Sequence, residues 1–476
     1  MKACRVQIIL VILLASTGAL NLCMAQTRSS PALGQELNFR VKFSEPLAVL
    51  NFLHNLSSNA PPANPFRQLF NSSRFNQQKY QMLIAEFDSL TIDYTYEYTE
   101  YMGTGKQAGS TWLLLKKNLI NSQTINDFKI SSLSIIPNEN LFKLASILTE
   151  LTPVYQELVY QPNREKFEQQ LSELKNLIAS TNMPSYFNVG LKFYNSSWDN
   201  SVPFNFIFYP LPNSRGFTAT VYANYAESAI PTTLTDYNGL LSVMFHELFH
   251  ILHDEQSLAL KKEIAQWIKS NPSKSARYAS GVLLDESLAT ALANGYVSGK
   301  LKGHLNEGNW YNSKYINLMA KKIYPLVTDY IEKQRPLDKA FIDNYIKIFD
   351  DNFSGWLLDL DFIMSGRYVL TDNAEDFKII NRKFPYLSMV EQKEGITESS
   401  IEKMANTPST KVVFIATDNK RKLELLKKAF TELKDWKPNA KTDFAYSVLL
   451  NGRTYLIVIN SVKKTTTEQI ETLKLK

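Results

Sequence analysis

Residues 37–43 (Leu-Asn-Phe-Arg-Val-Lys-Phe) alternate apolar and polar side chains, the period of a half-buried strand. Asn59 to Pro65 breaks that pattern with three prolines and reads as a loop. From about Gln77 to Thr181 the apolar positions recur with helical spacing. The aromatic patch from Tyr94 to Tyr101 fits a strand instead, with its rings in the core. Tyr186 to Tyr194, Phe204 to Tyr209 and Gly216 to Tyr225 are rich in β-branched or aromatic residues and bounded by Asn, Pro, Ser or Gly. They read as strands of a mixed or antiparallel sheet. Helical periodicity then dominates from Asp236 to about Phe362, with breaks near Asn271-Pro272, Gly303 to Gly308, Arg335-Pro336 and Ser354-Gly355. Strands followed by helices predict an α+β fold, a sheet leading into a largely helical half.

The tail changes character. Lys411 to Ala416 predicts a strand and Lys420 to Leu433 an amphipathic, Lys-rich helix. Phe444 to Leu450 and Thr454 to Ile459 predict a hairpin closed around Asn451-Gly452-Arg453. This is a small α/β module, and the Thr- and Ser-rich stretch from Thr397 to Thr410 reads as the linker before it. The expected division is 1–25 leader, 26–235 N-terminal α+β region ending in the sheet, 236–396 helical subdomain and 410–476 accessory module.

The leader is read from Lys2 and Arg5, the apolar run Ile8 to Ala15, and small or polar residues ending at Cys23-Met24-Ala25, the three-part plan of a secretory signal. The apolar run is shorter than the roughly 20 residues that span a bilayer, so cleavage after Ala25 is expected in place of a permanent anchor. Lipid modification of Cys23 is the alternative, and the bulk of Leu22 disfavours it. Cys4 and Cys23 both fall inside the leader, so the exported chain is expected to have no thiol, and its metal ligands must come from histidine and carboxylate. The formal charge of +6 drops to +4 once Lys2 and Arg5 leave, without the concentrated basic stripe of a nucleic-acid binder. No further segment is apolar and long enough to cross a membrane. The oligomeric state is left open.

Chemistry concentrates in Val243-Met244-Phe245-His246-Glu247-Leu248-Phe249-His250-Ile251-Leu252-His253. On a helix, His246 and His250 lie about 40° apart in azimuth and one turn apart along the axis, so both imidazoles can converge on one ion. Glu247 is displaced by about 100° and can reach a metal-held water without ligating the metal. Apolar residues surround the pair on nearly every side, and histidine and glutamate in such a helix are costly unless paired, hydrogen-bonded or metal-bound. A random chain of this composition, with five histidines, would show the pattern in only about one case in several hundred. These residues therefore predict a zinc site with Glu247 as general base.

The chain here resembles the gluzincins, the thermolysin-like clan of zinc metallopeptidases, in which HExxH is completed by a glutamate on a later helix. The resemblance rests on His246 to His250 and on Leu284-Asp285-Glu286-Ser287-Leu288-Ala289, whose Glu286 lies 36 residues after His250. It implies Glu286 as third ligand. Glu286 shares a helix face with Ala289, Thr290 and Ala293, small residues that let two helices approach closely. Asp285 is expected to point elsewhere and accept an imidazole N–H. Asp254, Glu255 and Asp285 are the replacement ligands should Glu286 face solvent.

The metzincin pattern is not met, because it requires a glycine and a histidine where this chain has His253 and Gln256. His253 lies about 10 Å along the helix from His246, too far to share an ion with it. It is expected to satisfy a hydrogen bond or line the cleft. The resemblance also implies a later Tyr or His that stabilises the oxyanion. Tyr311, Tyr315 and Tyr324 are the candidates, with Tyr315 preferred, one turn into its helix. Gly216 to Tyr225 could be the sheet edge that pairs with extended substrate or an ordinary interior strand. The expected activity is zinc-dependent hydrolysis of a peptide or protein substrate outside the cytoplasm. A zinc-dependent amide hydrolase on a non-peptide or cell-wall substrate and an inactive binding protein of the same fold are the alternatives.

Overall fold

The computed structural model describes residues 37–58, 60, 64–92, 110–212, 219–276, 279–280, 283–356, 359–385, 392–407, 409–450, 454–471 and 473. The leader 1–25, the aromatic patch Tyr94 to Tyr101 and the turn Asn451-Gly452-Arg453 lie outside them, as does most of the proline-rich loop. The α+β expectation holds: a mostly helical chain carries two small mixed sheets.

The alternating stretch at the start forms β1 (Phe39–Phe43), which pairs in parallel with β2 (Phe204–Leu211), Phe39 opposite Phe204. β2 runs parallel to β4 (Tyr225–Pro231), and β3 (Ala219–Tyr222) pairs antiparallel with β4. The order β1-β2-β4-β3 makes β3 an edge strand. Side chains alternate across β2: Phe206 and Phe208 enter one core and Ile207 enters another. Both faces of the sheet are therefore covered, and all seven residues of β4 are buried.

On the Ile207 face lie α1 (Glu45–Leu56), α2 (Pro65–Asn71), α3 (Gln78–Ser89), α4 (Ser110–Asn121), α5 (Ile125–Ser131) and α6 (Asn138–Tyr155). Their starts are chemically marked. Ser44 caps α1, Asn64 caps α2 ahead of Pro65, and Thr124 and Asp127 form a reciprocal capping box on α5. A π turn, Gln156–Tyr160, joins α6 to α7 (Gln161–Ser180), and α8 (Met183–Tyr194) follows.

Helix α8 corrects the strand expected at Tyr186 to Tyr194. Asn182 accepts from the Ser185 N–H, Pro184 sits in the first turn, and Phe187, Gly190, Phe193 and Tyr194 bury one helical face. Its aromatic residues raised strand propensity, but the cap and the 3.6-residue spacing decided the outcome.

The Phe206 face carries α9 (Tyr237–Asp254), α10 (Leu258–Ser270), α11 (Leu284–Thr290), α12 (Ser298–Lys302), α13 (Lys314–Glu332) and α14 (Lys339–Phe353). No described helix is long and apolar enough to cross a membrane.

The second sheet begins earlier than residue 410. After α15 (Leu360–Ser365) come β5 (Arg367–Thr371), α16 (Ala374–Lys383), β6 (Gln392–Glu394) and α17 (Glu398–Ala405). β7 (Thr410–Ile415), α18 (Asn419–Ala429), β8 (Phe444–Leu450), β9 (Thr454–Asn460) and α19 (Thr466–Glu471) complete it, in strand order β6-β5-β7-β9-β8. The expected hairpin is present, with Leu450 opposite Thr454. The expected linker is not: Thr397 caps α17, whose Ile401 and Met404 enter the core. Val413 and Leu456 face one helical layer while Val412 and Ile457 face the other, so this sheet too is buried on both sides.

Candidate metal centre

Helix α9 starts where Asp236 accepts the Gly239 N–H at 2.8 Å. A Cβ on residue 239 would lie 2.7 Å from Asp236 Oδ2, so glycine leaves the cap its room. Leu240, Leu241, Met244, Phe245, Leu248, Phe249, Ile251 and Leu252 are buried. Val243, Glu247, His250 and Asp254, spaced four, three and four apart, form the less buried stripe. His246 lies beneath that stripe, only 5% exposed.

Helix α11 packs across α9. Ala289 and Ala293 are fully buried, and the Ser242 hydroxyl donates to the Ala293 carbonyl at 3.4 Å, so the small-residue face does permit a close approach. Beyond Thr290 the chain widens into a π turn, Ala291–Val297.

Three donor atoms meet at this crossing. His246 Nε2 lies 3.1 Å from His250 Nε2 and 3.3 Å from Glu286 Oε2, and His250 Nε2 lies 3.7 Å from the same oxygen. Tetrahedral ligands with bonds of about 2.0–2.2 Å stand roughly 3.3–3.5 Å apart, a spacing that the three edges of this triangle bracket. Among the described residues it is the one group of three such side chains that could hold a metal ion. Exposure grows around the triangle from the His246 side chain at 7% through His250 at 18% to Glu286 at 36%, which opens it on one side.

Asp285 does not join the triangle. Its Oδ2 lies 2.9 Å from His250 Nδ1, which leaves His250 Nε2 turned to the centre, and its Oδ1 lies 2.9 Å from His253 Nδ1. Burial opposes charge on His250, but hydrogen bonds to Asp285 and Glu286 outweigh it and raise the imidazole to about 10. Against the effect of burial, His250 and His253 hold the Asp285 carboxyl, and His246 and His250 the Glu286 carboxyl, well below the usual range. Glu247 behaves oppositely. Burial pushes its carboxyl up, helped by the charges of Glu286 and Asp285 and opposed by both imidazoles.

The centre opens into a cleft of about 520 Å³ lined by Glu247, Ile251, Asp254, Glu255, Tyr311, the edge strand β3 and Ala223 just beyond it, together with the triangle and Asp285. Asp254 and Glu255 are exposed and stand apart from the triangle. The edge strand is the one expected within Gly216 to Tyr225; residues 216–218 lie outside the described chain.

Of the three tyrosines, it is Tyr311 that lines the cleft. Its ring stacks on His246, centroids 5.5 Å apart and planes 30° apart, and burial together with the adjacent Glu286 carboxylate pushes its phenol up. Tyr315 is not in the cleft, a correction to the expected choice. It is 7% exposed, its hydroxyl donates to Asp359, and its ring packs among Phe353, Trp356 and Phe362. The first turn of α13 faces inward because Lys314 pairs with Asp359 and Asp361. Tyr324 is half-buried against Trp310, centroids 5.3 Å apart.

One supporting cluster escaped the sequence reading. Glu227, buried in β4, accepts the Tyr222 hydroxyl at 2.8 Å and pairs with Lys116 of α4, which fastens β3 to the helices behind the sheet. The signal was present in the sequence: a lone glutamate in an otherwise uncharged strand needs a buried partner.

No family model, curated protein or solved structure matches the chain. The residues and their geometry carry the functional argument alone.

Proposed function

We propose that the chain is an exported, zinc-dependent metallopeptidase of gluzincin type, with His246, His250 and Glu286 as metal ligands and Glu247 as general base. The observation that carries this reading is the convergence, in one cleft, of a zinc-sized donor triangle, a carboxyl raised by burial and the edge strand of a sheet. When bound, the ion supplies Lewis acidity toward the scissile carbonyl and brings the pKa of a water ligand toward neutrality. Glu247 takes the water proton and later delivers it to the leaving amine, a task suited to a carboxyl raised above its usual range. Tyr311, stacked on His246 in the cleft, supplies the phenol that meets the oxyanion. Strand β3 offers main-chain groups to an extended peptide. Asp285 orients His250.

The test is turnover of a mixed peptide library by the zinc-loaded full chain and by Glu247→Gln. The expected outcome is cleavage by the parent protein and at least a roughly 100-fold loss in the variant at equal zinc content. Full activity in Glu247→Gln would remove its assigned role. Zinc retention without peptide turnover would overturn the peptidase reading, in favour of another amide substrate or of a binding protein.

A further inference from the structure

His253 has no part in the reaction proposed above, yet it closes an ordered array. Asp285 sits between two imidazoles, with Oδ2 2.9 Å from His250 Nδ1 and Oδ1 2.9 Å from His253 Nδ1. Residues three apart on a helix lie on neighbouring parts of one face, so both rings reach the same carboxylate on the crossing helix. The His253 ring rests in turn against the buried Tyr194 of α8, centroids 5.6 Å apart and planes 46° apart. Gln256 Nε2 donates to the Tyr194 carbonyl at 2.7 Å and ties the end of α9 to the end of α8.

We infer that His253 is a positioning residue of the metal centre. Its Nδ1, paired with Asp285 Oδ1 at 2.9 Å, fixes the carboxylate so that Oδ2 holds Nδ1–H of His250, which commits His250 Nε2 to the ion. The inference rests on the metallopeptidase reading. Its physical basis is the freedom of Asp285, whose side chain is 45% exposed. With a single imidazole partner, that carboxylate is free to rotate toward water and release His250; with two, each oxygen has an imidazole nitrogen 2.9 Å away. His253 cannot act as a ligand itself, because seven residues of helix set it about 10 Å from His246. Its influence passes through Asp285.

The experiment measures zinc dissociation constants of the full chain by competition with a chromophoric chelator. His253→Phe keeps a ring against Tyr194 and removes the donor. His253→Asn supplies an amide N–H close to the place of Nδ1. The expected result is binding about 10-fold weaker in His253→Phe, and binding within about threefold of the parent in His253→Asn. In an Asp285→Ala background, His253→Phe should cause no further change. Parent-like zinc binding by His253→Phe, or an equal loss in the Asp285→Ala background, overturns the inference alone. A parent protein that binds no zinc overturns the metallopeptidase reading as well. Should His253→Phe not fold, nitrogen-15 spectra of histidine-labelled parent protein decide. A hydrogen-bonded proton on His253 Nδ1, lost in Asp285→Ala, supports the inference, and an unprotonated Nδ1 overturns it.

Discussion

Gly190 packs against Phe249 with no room for a methyl group: a Cβ at position 190 would lie 2.5 Å from the ring atom Cε1 and 2.7 Å from Leu252 Cδ1. Helix α8 thus seats itself on the buried side of the helix that carries His246 and His250. Gly190→Ala is expected to destabilise the metal-free protein by about 1–3 kcal/mol, the usual cost of overpacking a filled core. Urea denaturation checks this, and an unchanged midpoint would show that α8 and α9 are not packed this closely.

The two tyrosines of the α13 entry should separate by phenotype. Tyr311→Phe is expected to lower kcat by about 10-fold or more while zinc content stays full, because it removes a hydroxyl from the cleft and leaves the ring stacked on His246. Tyr315→Phe is expected to leave kcat within about twofold and to cost roughly 1 kcal/mol of stability, because it removes one hydrogen bond to an Asp359 carboxylate that Lys314 and the Asp361 N–H still hold. Steady-state kinetics with thermal unfolding on both variants checks the pair; the reverse pattern would restore Tyr315 to the catalytic role.

Acid sensitivity should arise far from the cleft. Burial, with Lys116 adding to it, lowers the His54 imidazole to about 4, and its ring packs on Phe87 and Trp112. The folded-state pKa lies below the unfolded value near 6.5, so the unfolded chain takes up the proton first as pH falls. The stability tied to neutral His54 is complete above about pH 6.5 and is lost between there and pH 4, on the order of 2 kcal/mol by pH 4.5. His54→Leu should flatten that part of the stability profile in denaturation between pH 7 and 4.5. A variant with the same acid slope as the parent would contradict the assignment.

What the sequence made legible was local. His246, Glu247 and His250 share one helix, so helical geometry alone set their relation, and Glu286 was implied by the resemblance, with a face of small residues in its favour. The hairpin of β8 and β9 was equally readable from alternation on either side of a short turn. Non-local choices were not. Tyr311 and Tyr315 differ in place because Lys314 and Asp359 turn the start of α13 inward, a contact across 45 residues. β5 and β6 do not stand out in the 236–396 stretch expected to be helical because β5 is placed by pairing with β7 and β6 by pairing with β5, and Arg367 and Thr371 obscure the apolar character of β5. The Tyr186 to Tyr194 segment was misread because its aromatics weigh toward strands, whereas Asn182 and Pro184 had already marked a helix start.

The most direct test of the metal centre is anomalous diffraction at the zinc edge from crystals of the zinc-loaded full chain. One peak is expected about 2.0–2.2 Å from His246 Nε2, His250 Nε2 and a Glu286 carboxylate oxygen, with Asp285 outside the coordination shell. A peak held by Asp254 or Glu255 in place of Glu286, or no peak with His246 and His250 turned apart, would contradict it.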